Sequence, residues 1–598
     1  MPNDPGLRRL ALRTLLAAFP GTAVPQWAGD LLTGGLAGYT LFGGNITGAA
    51  QLTGLTTALR SARADVLIAV DEEGGDVTRL HHRTGSPYPG NAALGAADDP
   101  ETTRRVYAAI GADLAATGVN VDLAPVADVN TAADNPIIGT RSFGADPALV
   151  ARHTAAAVHG LQSHRVTPGL QSHRIAACAK HFPGHGATVT DSHLELPTVD
   201  VPLDLLRSRD LPPFAAAVQA GVQAVMSAHI RVPALTGDRP ATFSRAALTG
   251  LLRDELGFTG VIVTDALEMR GATAAAGGIP QAAVAALAAG ADLLCIGAAV
   301  DPPLVEAIVT EIINATTDGR LRIARLEEAA TRTTSLATWA TPPSPTSTGL
   351  ATAAASSSPT PRSNPSAGTP DETVPPDETV SPGEAVLPSE AVRPSEAVRP
   401  SEAGAPDAVI RRSDFELGVT AARLGMRVEG SAARLRSPLV VRFVASRSIA
   451  EGKVPWGLAP HLTTARRFAA ATAEMNTAAA EENAADATKD TPAVKRDAAA
   501  EEIAVVAAEC SVESILERAG ERPIVLVGRR IHNSVAAREL IGRLAADRPV
   551  GVVEMGWPSS WRPAGVDAFV ITHGASLANG RAAAEALTRQ TLDITQSD

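Results

Sequence analysis

The stretch KHFPGHGATVTDSH, residues 180–193, follows a short apolar run at 175–178 and gathers one lysine, three histidines and an aspartate where Pro183, Gly184 and Gly186 break regular structure. The run reads as a buried strand that delivers Lys180 and His181 to its carboxyl end, and the remainder reads as a loop. Three readings of that loop are open. Each of His181, His185 and His193, taken singly, fits a solvated turn. A zinc site would use His181 and His185, but their spacing aligns two ligands only on a helix, which Pro183-Gly184 forbids, so no metal site is assigned. Asp191 and His193 form a unit in which the carboxylate holds the imidazole and favours its protonated form, which makes a proton donor.

The same order, apolar run and then polar chemistry, recurs outward from this stretch. Candidate strands lie at 38–42, 66–70, 119–123, 175–179, 224–226, 260–264 and 293–296, separated by Ala-rich helical segments; an eighth strand is not evident. Their carboxyl ends carry Asp71-Glu72-Glu73, Asp122 and Asp128, Lys180-His181, His229 and Asp265. Chemistry repeated at strand carboxyl ends favours an α/β fold of the (β/α)8 TIM-barrel type over an open doubly wound sheet. No GxGxxG follows the first strand, so a dinucleotide site is not expected, and no cofactor is assigned.

Asp265 closes the run GVIVTDALEM, residues 260–269, at the sixth candidate strand. It reads as an N-cap for a following helix, as a solvated loop aspartate, or as a nucleophile held rigidly at the end of a buried strand. Asp71 to Glu73 with Arg79 read either as a surface charge run or as part of a pocket at the barrel mouth that Arg and Lys complete. His229 either lines that pocket or is a satisfied strand-end histidine.

Beyond the barrel, composition divides the chain of 598 residues, whose formal net charge is -12. That charge argues against nucleic-acid and polybasic membrane partners. The three cysteines, Cys178, Cys295 and Cys510, are widely spaced and read as buried reduced thiols. The N-terminal LRRLALRTLLAAFPG reads as an amphipathic helix and not as a signal peptide, and nothing reaches the length of a membrane span, which places the protein in the cytoplasm. The expected organisation is a catalytic barrel over 1–340, a disordered Pro/Ser/Glu-rich linker over 341–408, and a smaller α/β sandwich over 409–598. In the last, strands are expected at 438–445, 523–527, 550–554 and 568–572, a helix at 534–546, and helical or partly disordered chain at 467–509. VGRR before that helix hints at an anion site, and His573-Gly574 reads as a turn or a pocket contact. Oligomeric state is left open.

The motifs DEEGGDVTRL (71–80), NPIIGTRSFG (135–144), KHFPGHGATVTDSH (180–193), MSAHI (226–230) and GVIVTDALEM (260–269) occur in that order and together resemble glycoside hydrolase family 3, in its β-N-acetylglucosaminidase branch. The resemblance implies a retaining hydrolase that acts on small β-N-acetylglucosaminides, including fragments from cell-wall recycling. Asp265 would be the nucleophile and His193, with Asp191, the acid/base; Asp71, Arg79, Arg141, Lys180 and His181 would bind the non-reducing sugar. An imidazole can replace the second carboxyl group of an ordinary retaining glycosidase, because near neutral pH it both donates and accepts a proton. Two alternatives stand beside this: a phosphorylase using the same residues, since a neutral imidazole does not repel phosphate, and a non-enzymatic sugar-binding protein. One departure from the family pattern is the repeat of LQSHR at 161–165 and 170–174, directly before the catalytic strand, which reads as a lengthened loop on the barrel's opposite face.

Overall fold

Parallel strands covered on both faces are mostly apolar, and eight of them form the first sheet: β1 (Leu15–Ala17), β2 (Gly38–Thr40), β3 (Leu67–Val70), β4 (Val121–Asp122), β5 (Ala176–Phe182), β6 (Ala224–Ser227), β7 (Val261–Thr264) and β8 (Leu294–Cys295). A computed structural model describes residues 4–163, 174–190, 195–298, 300–341, 411–444, 451–452, 454–458, 461 and 501–592. Neighbours pair in the order β7-β6-β5-β4-β3-β2-β1-β8, and a parallel bridge between Val263 and Leu293 brings the two ends together. The sheet is the expected barrel.

The strand that sequence periodicity did not show is β1. A single N-terminal helix was expected, but the helix stops at Arg13, whose guanidinium meets Asp65 and Thr334, and the next residues become a strand. Leu16 pairs with Gly38 on one side and Cys295 on the other. Three residues buried on both faces have no period to read. Asp265 therefore follows the seventh strand, not the sixth, and the 180–193 stretch belongs to the fifth.

Side chains alternate across each strand. Ile68 and Val70 face the helical shell, while Leu67 and Ala69 fill the barrel interior with Val121, Cys178, Met226 and Val263. The helix Ile323–Ala340 covers the amino-terminal end, with Leu336 and Ala337 in that interior cluster. Cys178 and Cys295 are free and buried as expected, whereas Cys510 is only half-buried.

The second sheet has six strands, β9 (Arg427–Gly430), β10 (Leu439–Phe443), β11 (Glu501–Val505), β12 (Ile524–Gly528), β13 (Val550–Glu554) and β14 (Ala568–Ile571), in the order β11-β10-β12-β13-β14-β9. All pairs are parallel except β14 with β9. Helices Val512–Ala519 and Val535–Asp547 cover one face and Leu577–Leu592 the other, which gives the expected α/β sandwich. Two strands differ from expectation. β9 is an edge strand with exposed ends and so lacks an apolar run. β11 lies inside 467–509, where Ala and Glu content suggested helical or partly disordered chain; pairing along the whole of β10 overrides that propensity, and residues 467–500 lie outside the described residues.

The described residues of the barrel and of the second sheet form one compact unit. Helix Arg412–Gly425 lies so close to the barrel that a Cβ on Gly418 or Gly425 would sit 2.0 Å from the Pro87 or Ala93 carbonyl oxygen. The expected linker at 341–408, apart from Thr341, and residues 164–173 of the LQSHR repeat lie outside the described residues. No single described helix is long and apolar enough to cross a membrane.

Candidate active site at the barrel mouth

Strand β3 ends on three consecutive acids, and each has a different task. Asp71 Oδ1 accepts from Lys180 Nζ at 2.8 Å, and its Oδ2 meets Arg79 Nη2 at 3.3 Å. Glu73, buried, holds Arg141 in a two-pronged pair (2.7 and 2.9 Å) and lies 2.7 Å from Lys180 Nζ. Glu72 turns back: its Oε2 accepts the Arg79 and Leu80 amides at 2.8 and 2.9 Å, so it shapes the turn and does not line the mouth. Burial raises its carboxyl to about 7 even against those hydrogen bonds.

The result is a clamp of two carboxylates among three cations. Burial alone would raise Asp71 and Glu73, but Lys180 and Arg79 hold Asp71 well below the usual carboxylate range, and Arg141 and Lys180 bring Glu73 to about 2. Lys180 loses charge preference to burial and regains more from Asp71 and Glu73, so it stays protonated. Such a set presents fixed donors and acceptors to a polyol.

The loop after β5 is fastened from below. Asp128 Oδ2 meets His181 Nδ1 at 2.8 Å, and its Oδ1 accepts the His181 and His185 amides at 3.2 and 2.6 Å. His181 Nε2 then lies 3.4 Å from Arg141 Nη2. His185 bonds Thr188 Oγ1 through Nδ1 at 2.7 Å, and burial lowers it to about 4, so it is neutral. His181 and His185 meet edge to face at 6.0 Å. Among the described residues no group of three or more His, Cys, Asp or Glu could hold a metal ion.

Asp265 stands across the mouth at the end of β7. Its amide donates to Ser227 O at 3.1 Å, and its Oδ1 accepts the Ala266 amide at 2.7 Å. The next helix begins only at Arg270 with Met269 as its cap, so Asp265 is not an N-cap. It is half-buried and lines a cavity of about 590 Å³ together with Asp71, Glu73, Arg79, Arg141, Lys180 and His181. The cavity opens at the strand carboxyl ends, where a barrel holds its chemistry. A shallower groove of about 970 Å³, containing the Arg13–Asp65 pair, lies at the opposite end.

Six of the eight sequence-derived site residues are thus gathered in one cavity; Asp191 and His193 lie outside the described residues. His229 proves to be a strand-end histidine, bonded to Thr242 Oγ1 and Ala266 O at 2.9 and 3.1 Å. His573 sits in a turn with its Nδ1 on the Gly425 carbonyl. The VGRR segment is no anion site: Arg529 pairs with Asp76 and Glu451, and the amides of Arg530, Ile531 and Gly556 are taken by the Glu554 carboxylate.

Three residues escaped the sequence reading. Glu73 was hidden in what resembled a charge run, and Asp128 was noted at a strand end without a task. Glu451 comes from the second sheet's side and lines the cavity with Gly452 and Val454. Only the distance between it and the barrel motifs along the chain concealed it.

Comparison with known proteins agrees with this geometry. The sequence model described as the glycosyl hydrolase family 3 N terminal domain matches residues 23–336. A β-hexosaminidase of Stenotrophomonas maltophilia is 38% identical over 290 residues, 47% of this chain and 82% of that protein. A β-hexosaminidase A of Pseudoalteromonas piscicida is 37% identical over 272 residues, 42% of this chain, and the match spans only 44% of that longer protein. Among solved structures, a β-N-acetylglucosaminidase from a Paenibacillus species has TM-score 0.74 at 27% identity, covering 98% of this chain and 97% of that one.

Proposed function

The chain belongs to glycoside hydrolase family 3, and from that premise we propose that it is a β-N-acetylglucosaminidase which removes terminal β-linked N-acetylglucosamine in two displacements. Asp265 attacks the anomeric carbon as the glycosidic carbon–oxygen bond breaks, and His193, oriented by Asp191, gives its proton to the departing oxygen. Water then donates a proton back to His193 and attacks the anomeric carbon, breaking the bond to Asp265 and restoring both groups. Asp71, Lys180, Arg141, Arg79 and His181 bind the sugar's hydroxyls. The observation that carries this reading is the shared cavity: a carboxylate anchored at a strand end shares it with a pre-formed clamp of two carboxylates and three cations. A glucosaminide derived from bacterial wall is the natural substrate favoured by the motif set.

Kinetics on aryl β-N-acetylglucosaminides test it. Asp265→Asn is expected to lower kcat by about 10⁴-fold or more. His193→Ala and Asp191→Ala are expected to slow a poor leaving group far more than an activated one. A wild-type chain that turns over no aryl glucosaminide, or an Asp265→Asn variant with unchanged rate, ends the reading. Release of sugar 1-phosphate only when phosphate is added would convert hydrolase into phosphorylase.

A further inference from the structure

The order β11-β10-β12-β13-β14 in the second sheet reverses direction between β10 and β12, because the chain leaves β10 toward β11 and leaves β12 toward β13. In an open parallel sheet such a reversal opens a crevice at the strand carboxyl ends, and ligands bind there. A cavity of about 450 Å³ occupies this place, bounded by Val444 after β10, Arg530 after β12 and Trp557 after β13. Its opposite wall is the barrel loop that carries Ile137. Ile137 and Glu451 also line the mouth cavity, so the two spaces adjoin across them.

The crevice has the makings of a recognition surface. Arg530 holds a left-handed backbone, φ 54°, uncommon for a residue with a side chain, and the Glu554 carboxylate keeps it there through the Arg530 amide at 2.8 Å. The guanidinium reaches the Asn135 carbonyl at 2.6 Å; among the described residues that is its only hydrogen bond, although it carries five donor hydrogens. Trp557, half-buried, supplies a flat apolar face, and Asn533 and Ser534 supply polar edges. The charges around it are otherwise spent: Arg529 is paired with Asp76 and Glu451, and Glu554 with backbone amides. A planar aromatic face beside an arginine with open donors suits the alternating C–H and hydroxyl faces of a pyranose.

We propose that this crevice is the leaving-group subsite and takes a second pyranose, so that the enzyme is built for oligosaccharides and not for simple glycosides. The proposal rests on the reading of the mouth as a β-N-acetylglucosaminidase site and adds which residues hold the part of the substrate that departs.

The test compares kcat/KM of the full chain on N,N′-diacetylchitobiose and triacetylchitotriose with that on a 4-nitrophenyl β-N-acetylglucosaminide. Arg530→Ala and Trp557→Ala are each expected to lower the ratio of oligosaccharide to aryl glycoside efficiency about tenfold or more, the loss of a charge-assisted hydrogen bond or a stacked ring. An unchanged ratio in both variants overturns the proposal. Should Arg530→Ala fail to fold, Trp557→Ala decides alone. Should the wild type cleave no glucosaminide, calorimetric titration of triacetylchitotriose still decides. Binding by the wild type that weakens about tenfold in Trp557→Ala supports the subsite, and no binding, or equal binding by both, rejects it.

Discussion

Glu73 shows how much a single buried side chain settles. It accepts from Arg141 at both oxygens and lies 2.7 Å from Lys180, so both cations owe their placement to it. Glu73→Gln keeps the shape and removes the charge, leaving two buried cations with Asp71 as the remaining carboxylate. A loss of about 3–5 kcal/mol is expected, the cost of breaking a buried ionic set, together with a raised KM. An unfolding free energy from denaturant titration unchanged to within about 1 kcal/mol would show that the cations repair themselves. His185 sets a pH limit of opposite origin. Burial lowers it from the ordinary 6.5 to about 4, so between those values the unfolded chain binds a proton that the folded one does not. Its contribution is complete above pH 6.5 and is lost as pH falls through 4, about 3 kcal/mol in all. His81, also brought to about 4 by burial, adds a parallel loss, and Glu73 adds its own only from pH 4.5 downward. His185→Gln should remove one proton's worth of slope between pH 6.5 and 4 in urea midpoints; an identical slope would contradict the burial argument. At this scale the sequence was legible wherever a polar residue ended an apolar run, as with Asp265 and Lys180. It was not legible for Glu73 and Asp128, whose importance comes from partners 68 and 53 residues away.

At the scale of elements, the β5 loop works because it lies against the loop after β4. A Cβ on Gly186 would stand 1.9 Å from the Val129 carbonyl oxygen, one residue from the Asp128 that clamps His181 and His185. Gly186→Ala must push two backbones apart, so it should cost about 1–3 kcal/mol or more and also lower kcat/KM, because His181, which lines the cavity, moves with the loop. Gly54, in the helix Ala49–Ala62, has nothing within 4 Å of its added Cβ, and Gly54→Ala should instead stabilise by up to about 1 kcal/mol. Equal melting shifts of the same sign in the two variants would refute the assignment. Seven barrel strands were legible because parallel strands buried on both faces stand out as apolar runs. β1 was not, being three residues long and continuous with an amphipathic helix, and β9 was not, being a half-exposed edge.

For the whole molecule, the question is why the second sheet stays on the barrel while lending Glu451 to its mouth. Asp76 answers most of it: its Oδ2 accepts from Arg529 at 2.8 Å and from Thr140 at 2.6 Å, and its Oδ1 accepts the Ala575 amide at 2.9 Å. Arg529 also pairs with Glu451 at 3.0 Å and lies 5.8 Å over the Trp456 ring. One arginine thus pairs with a barrel carboxylate and a cavity carboxylate at once, a tie invisible in sequence because Asp76 and Arg529 are 453 positions apart. Arg529→Met leaves Asp76 and Glu451 buried without their shared cation, so about 3–5 kcal/mol should be lost. Changing Glu451 to Gln in that background should recover part of the loss, since one uncompensated charge disappears. The exposed pair Arg8–Glu306 is the control, worth no more than about 1 kcal/mol on removal. If Arg529→Met costs no more than Arg8→Met, then apolar contact and the remaining hydrogen bonds, such as Arg530 to the Asn135 carbonyl, hold the second sheet in place, and Glu451 is positioned by something other than the Asp76–Arg529 tie.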